Sequence, residues 1–414
     1  MKATDLKEAL RILDPERPLD TDEELDNFFV ERSMSPLEDL IPMLQDTEGH
    51  QKILFTGHRG SGKSTELAQL ERRLAEEFFI IRYSVKSVLD LFDLSHLDIV
   101  YSLGFQLFEK TTSQEINVDK KVLKYVLECV LDFTKDITKE TQVTANAEAG
   151  LGAQINFYVA KLSSKLGTEE TTRKTIREKV GPRLSDLLLA IDLLSREVEK
   201  NTNRRVLVIV EDIDKTDIAK AKELFYGNAT SLLAPRVPII YTFPIALRHD
   251  NDFMQIQSNF PNPYGLPNIK TRARNGTLDE EGLGQLRNIL TKRVDESLFT
   301  SESLNSLAEL SGGIPRELIT LARQACLEAI KSDAGVINEN AVQPAASKRR
   351  RDYQVLLSKA QVKLLKQVEK TKEIDNNEDY RALLHNLSVL EFRNEDSWYD
   401  VNPVVKPLLT RKHG

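Results

Sequence analysis

Apolar residues recur along this chain in two rhythms. Short apolar runs at Lys52-Ile53-Leu54-Phe55-Thr56, Phe78 to Val85, Arg205 to Val210 and Val237 to Phe243 have the length and composition of buried strands. Between them the spacing changes to three and four. Leu67, Leu70 and Leu74 share one face of a helix over 63–77, and Val122, Tyr125, Val126, Cys129, Val130 and Phe133 share one over 118–140. Further helices are predicted over 94–112 and over 168–200, the second broken near Gly181-Pro182. Strands alternating with helices predict an α/β fold with a parallel sheet. From about residue 278 the strands stop and short helices follow.

One segment has a third rhythm. Every odd position from Val143 to Val159 is apolar, and Gly150 and Gly152 lie at its middle. Strict alternation predicts a β-hairpin inserted between core elements. It is expected to serve as a surface flap, an oligomer-forming edge or a nucleic-acid contact.

At 414 residues the chain has room for about two to three domains. The pattern divides it into an acidic segment over 1–50, a core over 51–277 with an inserted region around 113–200, a helical unit over 278–347 and a last unit over 348–414. With 40% hydrophobic and 29% charged residues it reads as globular, not disordered. No apolar run approaches a membrane span, and no secretory signal is visible, so a cytoplasmic protein without a membrane partner is expected. Cys129 and Cys326 are the only cysteines and the six histidines are scattered singly, which excludes a disulfide framework or a zinc site. Charge is uneven. Residues 1–50 carry 5 basic and 14 acidic side chains, and residues 348–414 carry 14 and 10. The two ends suit different partners.

The most specific chemistry follows the first strand. Gly57-His58-Arg59-Gly60-Ser61-Gly62-Lys63-Ser64 matches G-x-x-x-x-G-K-[ST] without a gap, and Thr65 continues it into the predicted helix. Glycines let the backbone curl until successive N–H groups point at phosphate oxygens, and the helix N-terminus adds partial positive charge. Lys63 is expected to reach the β- and γ-phosphates, and the Ser64 hydroxyl to ligate Mg²⁺. The strand Val206-Leu207-Val208-Ile209-Val210 ends in Glu211-Asp212-Ile213-Asp214. Acids at the carboxyl edge of a parallel sheet lie where ligands of such folds bind. Glu211 and Asp212 are the candidates to hold Mg²⁺ and to orient an attacking water.

Together these motifs resemble the AAA+ and STAND ATPases, especially their origin-recognition-like relatives. The resemblance implies a P-loop NTPase sheet, a helical lid and a C-terminal winged helix. It implies ATP and Mg²⁺ as cofactors, and slow hydrolysis. Glu211 stands where the family usually has Asp. Ile239-Ile240-Tyr241-Thr242 places Thr242 at the sensor-1 position, facing the γ-phosphate. Gly312-Gly313-Ile314-Pro315-Arg316 resembles the turn that opens the lid, with Arg316 at the sensor-2 position and Pro315 beside it. Phe29-Val30-Glu31-Arg32 resembles the segment that encloses the base. The motifs span residues 29 to 316.

Over 360–410, two helices and a hairpin with its turn at Asn394-Glu395-Asp396 are similar to the family's winged helix. Its candidate recognition stretch, Asn377-Glu378-Asp379-Tyr380-Arg381, carries acids, so an intramolecular role is expected. The family reading is an ATP-dependent switch acting on a separately encoded effector or sensor, or on further copies of itself, in a setting such as bacterial signalling or defence. The rival is a DNA-binding initiator or loader that works through the winged helix and the basic run Lys348, Arg349, Arg350 and Arg351. A third reading makes nucleotide a structural ligand only.

Overall fold

A computed structural model of the protein describes residues 2–46, 49–134, 168–261, 263–393 and 396–410. The alternating segment over 143–159 lies outside the described residues. Five strands, β1 (Lys52–Gly57), β2 (Phe78–Ser84), β3 (Arg205–Glu211), β4 (Ile239–Pro244) and β5 (Tyr264–Gly265), form one parallel sheet in the order β2-β3-β4-β1-β5. Helices cover both faces, which is why these strands read as continuous apolar runs.

Along β1 the side chains alternate between two cores. Ile53 and Phe55 pack with Leu37, Leu40 and Leu44 of α3 (Leu37–Asp46) and with Leu67, Leu70 and Leu74 of α4 (Lys63–Leu74). Leu54 faces the other way, into a larger core. That core contains Leu103 and Leu107 of α5 (His96–Ser113), Val126 of α6 (Lys120–Thr134), Ile176 of α7 (Glu170–Val180) and Leu187 and Leu194 of α8 (Leu184–Thr202). The break between α7 and α8 is a single 3₁₀ turn over Gly181–Arg183, as proline there requires. Ile256 of α9 (Phe253–Asn259) packs in the same core.

The lid comprises α10 (Glu280–Thr291), α11 (Ser301–Leu310), α12 (Pro315–Lys331) and α13 (Glu339–Leu356). The winged-helix unit comprises α14 (Lys359–Thr371), α15 (Glu378–His385) and the antiparallel pair β6 (Val389–Arg393) and β7 (Ser397–Val401). The fold is thus an α/β P-loop sheet with a helical lid and a C-terminal winged helix.

Two expectations need correction. The division at 348 cuts through α13, whose Ala341, Val342, Ala345, Ala346 and Tyr353 are buried. The charge run lies within that helix, and the chain leaves α13 only at Leu357. The first residues, for their part, do not simply lead into the sheet. Ala9 of α1 (Leu6–Ile12), with Ala3 and Leu13, shares the lid's core, and Ala3 bridges to Val294. The segment then crosses to the sheet side, where Asp20 pairs with Arg82 of β2 and Asp22 and Asp26 of α2 (Asp22–Phe28) pair with Arg72 of α4.

Candidate functional site

The phosphate loop runs from β1 into α4. Gly60 and Gly62 have φ of +79° and +98°, in the left-handed region where a side chain is strained. Space forbids one as well: a Cβ on Gly60 would lie 2.7 Å from Arg316 Cβ, and one on Gly62 would lie 2.7 Å from Arg32 Nη2. The loop is therefore gripped from two sides. The Arg316 backbone N–H donates to Gly60 O at 3.2 Å, and Arg32 donates to Ser61 O and, at 3.3 Å, to Pro267 O.

Lys63 is 7% exposed, and its ammonium has three hydrogens and three partners. It donates to Gly57 O and His58 O at 3.0 Å each and pairs with Asp214 at 2.8 Å. Burial pushes the Asp214 carboxyl up, but the Lys63 charge and hydrogen bond outweigh it and hold the group below the usual range. Asp214 is the acid that meets the lysine, a role read in the sequence for neither.

The two acids before it are also engaged. Glu211, 5% exposed, pairs with Arg82 at 2.8 Å. Burial raises its pKa, and Arg82 and Ser64 oppose the rise. Asp212 has φ +70°, a turn that aspartate tolerates better than most residues. Its Oδ1 meets Lys215 Nζ at 2.6 Å and its Oδ2 accepts from Ser84 Oγ at 2.6 Å. Thr242 Oγ1 accepts from the Ile213 N–H at 3.1 Å, so β4 fixes the acid-bearing turn.

Except for Glu211, which does not line it, these acids and the lysine face one pocket between sheet and lid. Arg59, Gly60, Gly62, Lys63, Ser64, Thr65, Asp212, Asp214, Lys215 and Thr242 line its polar end, with Pro315 and Arg316 from the lid. Phe28, Phe29, Val30, Ile289 and Ile319 form an apolar end, which has the character a nucleobase needs. A strap over Pro15, Arg17, Pro18 and Leu19 completes the wall, and Arg316 Nε donates to Pro15 O at 3.2 Å. The cradle fits phosphate, and Ser64 beside Glu211 fits a cation that arrives with it. Among the described residues no cluster of three or more His, Cys, Asp or Glu side chains could hold a metal ion.

The ring of His58, read as part of the phosphate-binding loop, is not in this pocket. It is 1% exposed and points to the winged helix, where Nε2 accepts the Glu391 backbone N–H at 2.8 Å. Only its carbonyl faces the site.

Arg82 and Lys215 escaped the sequence reading. Arg82 binds Glu71 at 2.6 Å and Asp20 as well as Glu211, tying the strap, α4 and β3 together. Its signal was an arginine inside the apolar run Phe79-Ile80-Ile81-Arg82-Tyr83, a position that a buried charge can occupy only with partners.

The winged helix turns inward. On α15 Arg381 donates to His249 O at 3.3 Å and pairs with Asp250 at 3.7 Å. In the basic run, Arg349 pairs with Glu317 at 2.5 Å, Arg350 donates to Val404 O at 3.1 Å and Lys348 to Gln324 at 3.1 Å. Arg350 thus joins lid to winged helix, while Arg349 and Lys348 bond within the lid, and Lys348 stays exposed.

Among the described residues no helix is long and apolar enough to cross a membrane. No protein-family model and no curated protein matches the sequence. Three solved structures are similar over nearly their full lengths. Cdc6p from Pyrobaculum aerophilum matches with 11% identity and a TM-score of 0.43, over 96% of this chain and 97% of that one. The Aeropyrum pernix Orc1 protein in complex with DNA gives 12% and 0.42, over 97% and 96%. The RuvB Holliday junction branch migration motor of Thermotoga maritima gives 11% and 0.37, over 97% and 100%. At these scores the matches do not by themselves assign the chain to a family.

Proposed function

We propose that the protein is an ATP-binding and ATP-hydrolysing switch of the AAA+/STAND kind that controls a separately encoded partner protein or its own assembly. One observation carries the reading: Gly60, Gly62, Lys63 and Ser64 of the phosphate loop, Asp212 and Asp214 of the acidic turn and Arg316 of the lid face one pocket between two units. Bound Mg-ATP would supply a phosphoanhydride bond and a cation to polarise it. Lys63 would turn to the β- and γ-phosphates, with Ser64 and Glu211 flanking the cation. Asp212 would orient water, and Thr242 would keep the acidic turn in place. Such a site acts by positioning and by stabilising charge. Arg316, on the lid, is the group able to report the γ-phosphate to the rest of the chain. Calorimetry with ATP and GTP, combined with mass spectrometry of co-purified nucleotide and proteins, tests the reading. Affinity for neither nucleotide overturns it.

A DNA-binding role as initiator or loader is the second reading, favoured by a different feature. Lys359, Lys363, Lys366 and Lys370 are exposed on α14 at spacings that put them on one face, and none forms an ion pair among the described residues. Four phosphate contacts would give a log–log salt slope of about −4, and a slope near zero removes this reading.

A further inference from the structure

A polar contact joins the phosphate loop to the winged helix. The His58 ring accepts the Glu391 backbone N–H at 2.8 Å, and the same residue's carbonyl accepts from Asn268 Nδ2 at 3.2 Å. Because a backbone N–H can only donate, His58 Nε2 carries no proton here. The Glu391 carboxylate is held in turn, by His249 at 3.1 Å and Arg248 at 3.5 Å. The lid turn packs close to the same strand. A Cβ on Gly312, in the lid turn, would lie 2.5 Å from Leu390 Cδ1, and Ile314 shares a small core with Leu390, Phe392 and Trp398.

The same His58 carries its carbonyl on the phosphate side, where it accepts from the Ser61 N–H at 3.1 Å and from Lys63 Nζ at 3.0 Å. Both donors belong to the groups a phosphate loop turns toward its ligand. Lys63 has no spare hydrogen, so reaching a phosphate requires it to leave a present partner. Its bond to the Asp214 carboxylate is charge-assisted and the stronger; those to the Gly57 and His58 carbonyls are neutral acceptors and give way first.

We infer that His58 is a latch between nucleotide and winged helix: phosphate entering the loop withdraws Lys63 and Ser61 from the His58 carbonyl, that peptide reorients, and the ring releases Glu391. The inference rests on the nucleotide reading of the pocket. It gives that reading a route from the phosphates to the C-terminal unit besides the lid arginine. Differential action on the two states is what a switch needs.

Hydrogen exchange at the Glu391 amide reads the latch directly. In the wild-type chain, saturating Mg²⁺ and the β,γ-imido analogue of ATP should speed exchange there by about tenfold, while amides of β3 stay protected. His58→Ala, without nucleotide, should already show most of that acceleration and little further response to the analogue. His58→Gln, whose side-chain oxygen can accept, should restore part of the protection. Calorimetry on the same samples separates the two claims. If the analogue binds and Glu391 exchange is unchanged in the wild type, the latch is wrong and the site stands. If the analogue does not bind, the nucleotide reading and the latch fall together. Should His58→Ala fail to fold, the wild-type and His58→Gln measurements still decide the matter.

Discussion

Lys63 and Asp214 form a buried ion pair at 2.8 Å, with side chains 7% and 4% exposed. The lysine expected to meet phosphate already has a counter-charge. Losing one partner of such a pair leaves an uncompensated buried charge and costs about 3–5 kcal/mol. Lys63→Ala is therefore expected to lose stability as well as nucleotide binding. Adding Asp214→Asn should return much of the stability and none of the binding. Urea melts of the four chains of this double-mutant cycle give the first result. Thermal shift with Mg-ATP gives the second: about 2.7 kcal/mol of stabilisation for the wild type at 100 times the dissociation constant, and almost none for either Lys63 variant. A normal ligand shift in Lys63→Ala would refute the site.

Asp212 has both carboxylate oxygens occupied, by Lys215 and by the Ser84 hydroxyl. An amide in its place keeps the shape but cannot hold water as a carboxylate does. Asp212→Asn should bind ATP within about threefold of wild type and hydrolyse it at least about 100-fold more slowly, the lower range for a positioned acid or base. Phosphate release under single-turnover conditions measures this, and wild-type turnover in the variant would remove Asp212 from the chemistry.

What the sequence made legible was local. The phosphate loop, the acid-tipped strand and the helix that breaks at Gly181-Pro182 declare themselves within a dozen residues, because turn geometry, buried strands and proline constraints act over that range. Contacts across the chain left no such trace. His58 and Glu391 are 333 positions apart, and a histidine in a loop motif carries no mark of which way its ring turns. The basic run misled for the opposite reason: a conspicuous local charge pattern hid the apolar stripe of Ala341, Ala345 and Tyr353 on the same helix.

Arg316 reaches the strap in this arrangement, donating to Pro15 O at 3.2 Å. That bond uses Nε alone, so the terminal N–H groups can turn to a γ-phosphate, a charge-assisted contact worth about 1.5–3 kcal/mol, or roughly 10- to 150-fold in affinity. Arg316→Ala should therefore bind ADP nearly as well as wild type and lose its preference for ATP. Any ATP-dependent compaction seen by small-angle scattering should be lost with it. Equal losses for ATP and ADP would make Arg316 a general pocket residue.

The His58–Glu391 contact also predicts how stability changes with pH. Burial, the leading cause, holds the His58 pKa at about 4, against an ordinary 6.5. Between those values the unfolded chain binds a proton that the native chain refuses, so this group's contribution is complete above about pH 6.5 and is lost as pH falls toward 4. Each unit within that window is worth about 1.4 kcal/mol. Glu391 acts in a lower window. Burial opposes its ionisation, but the His249 hydrogen bond and the Arg248 charge outweigh burial and hold it at about 2, so its share is lost only below about pH 4.5. His50, His96 and His385 are also shifted down, by burial first, and add to any slope the whole chain shows. The difference between wild type and His58→Gln isolates the one group. Urea midpoints at pH 7 and pH 5 should show the wild type losing about 2 kcal/mol more than the variant, the value for one depressed histidine across the part of its window that lies above pH 5. Equal losses would mean that the His58 ring is accessible to protons in the native chain, and that its bond to the Glu391 amide is not the fixed contact described above.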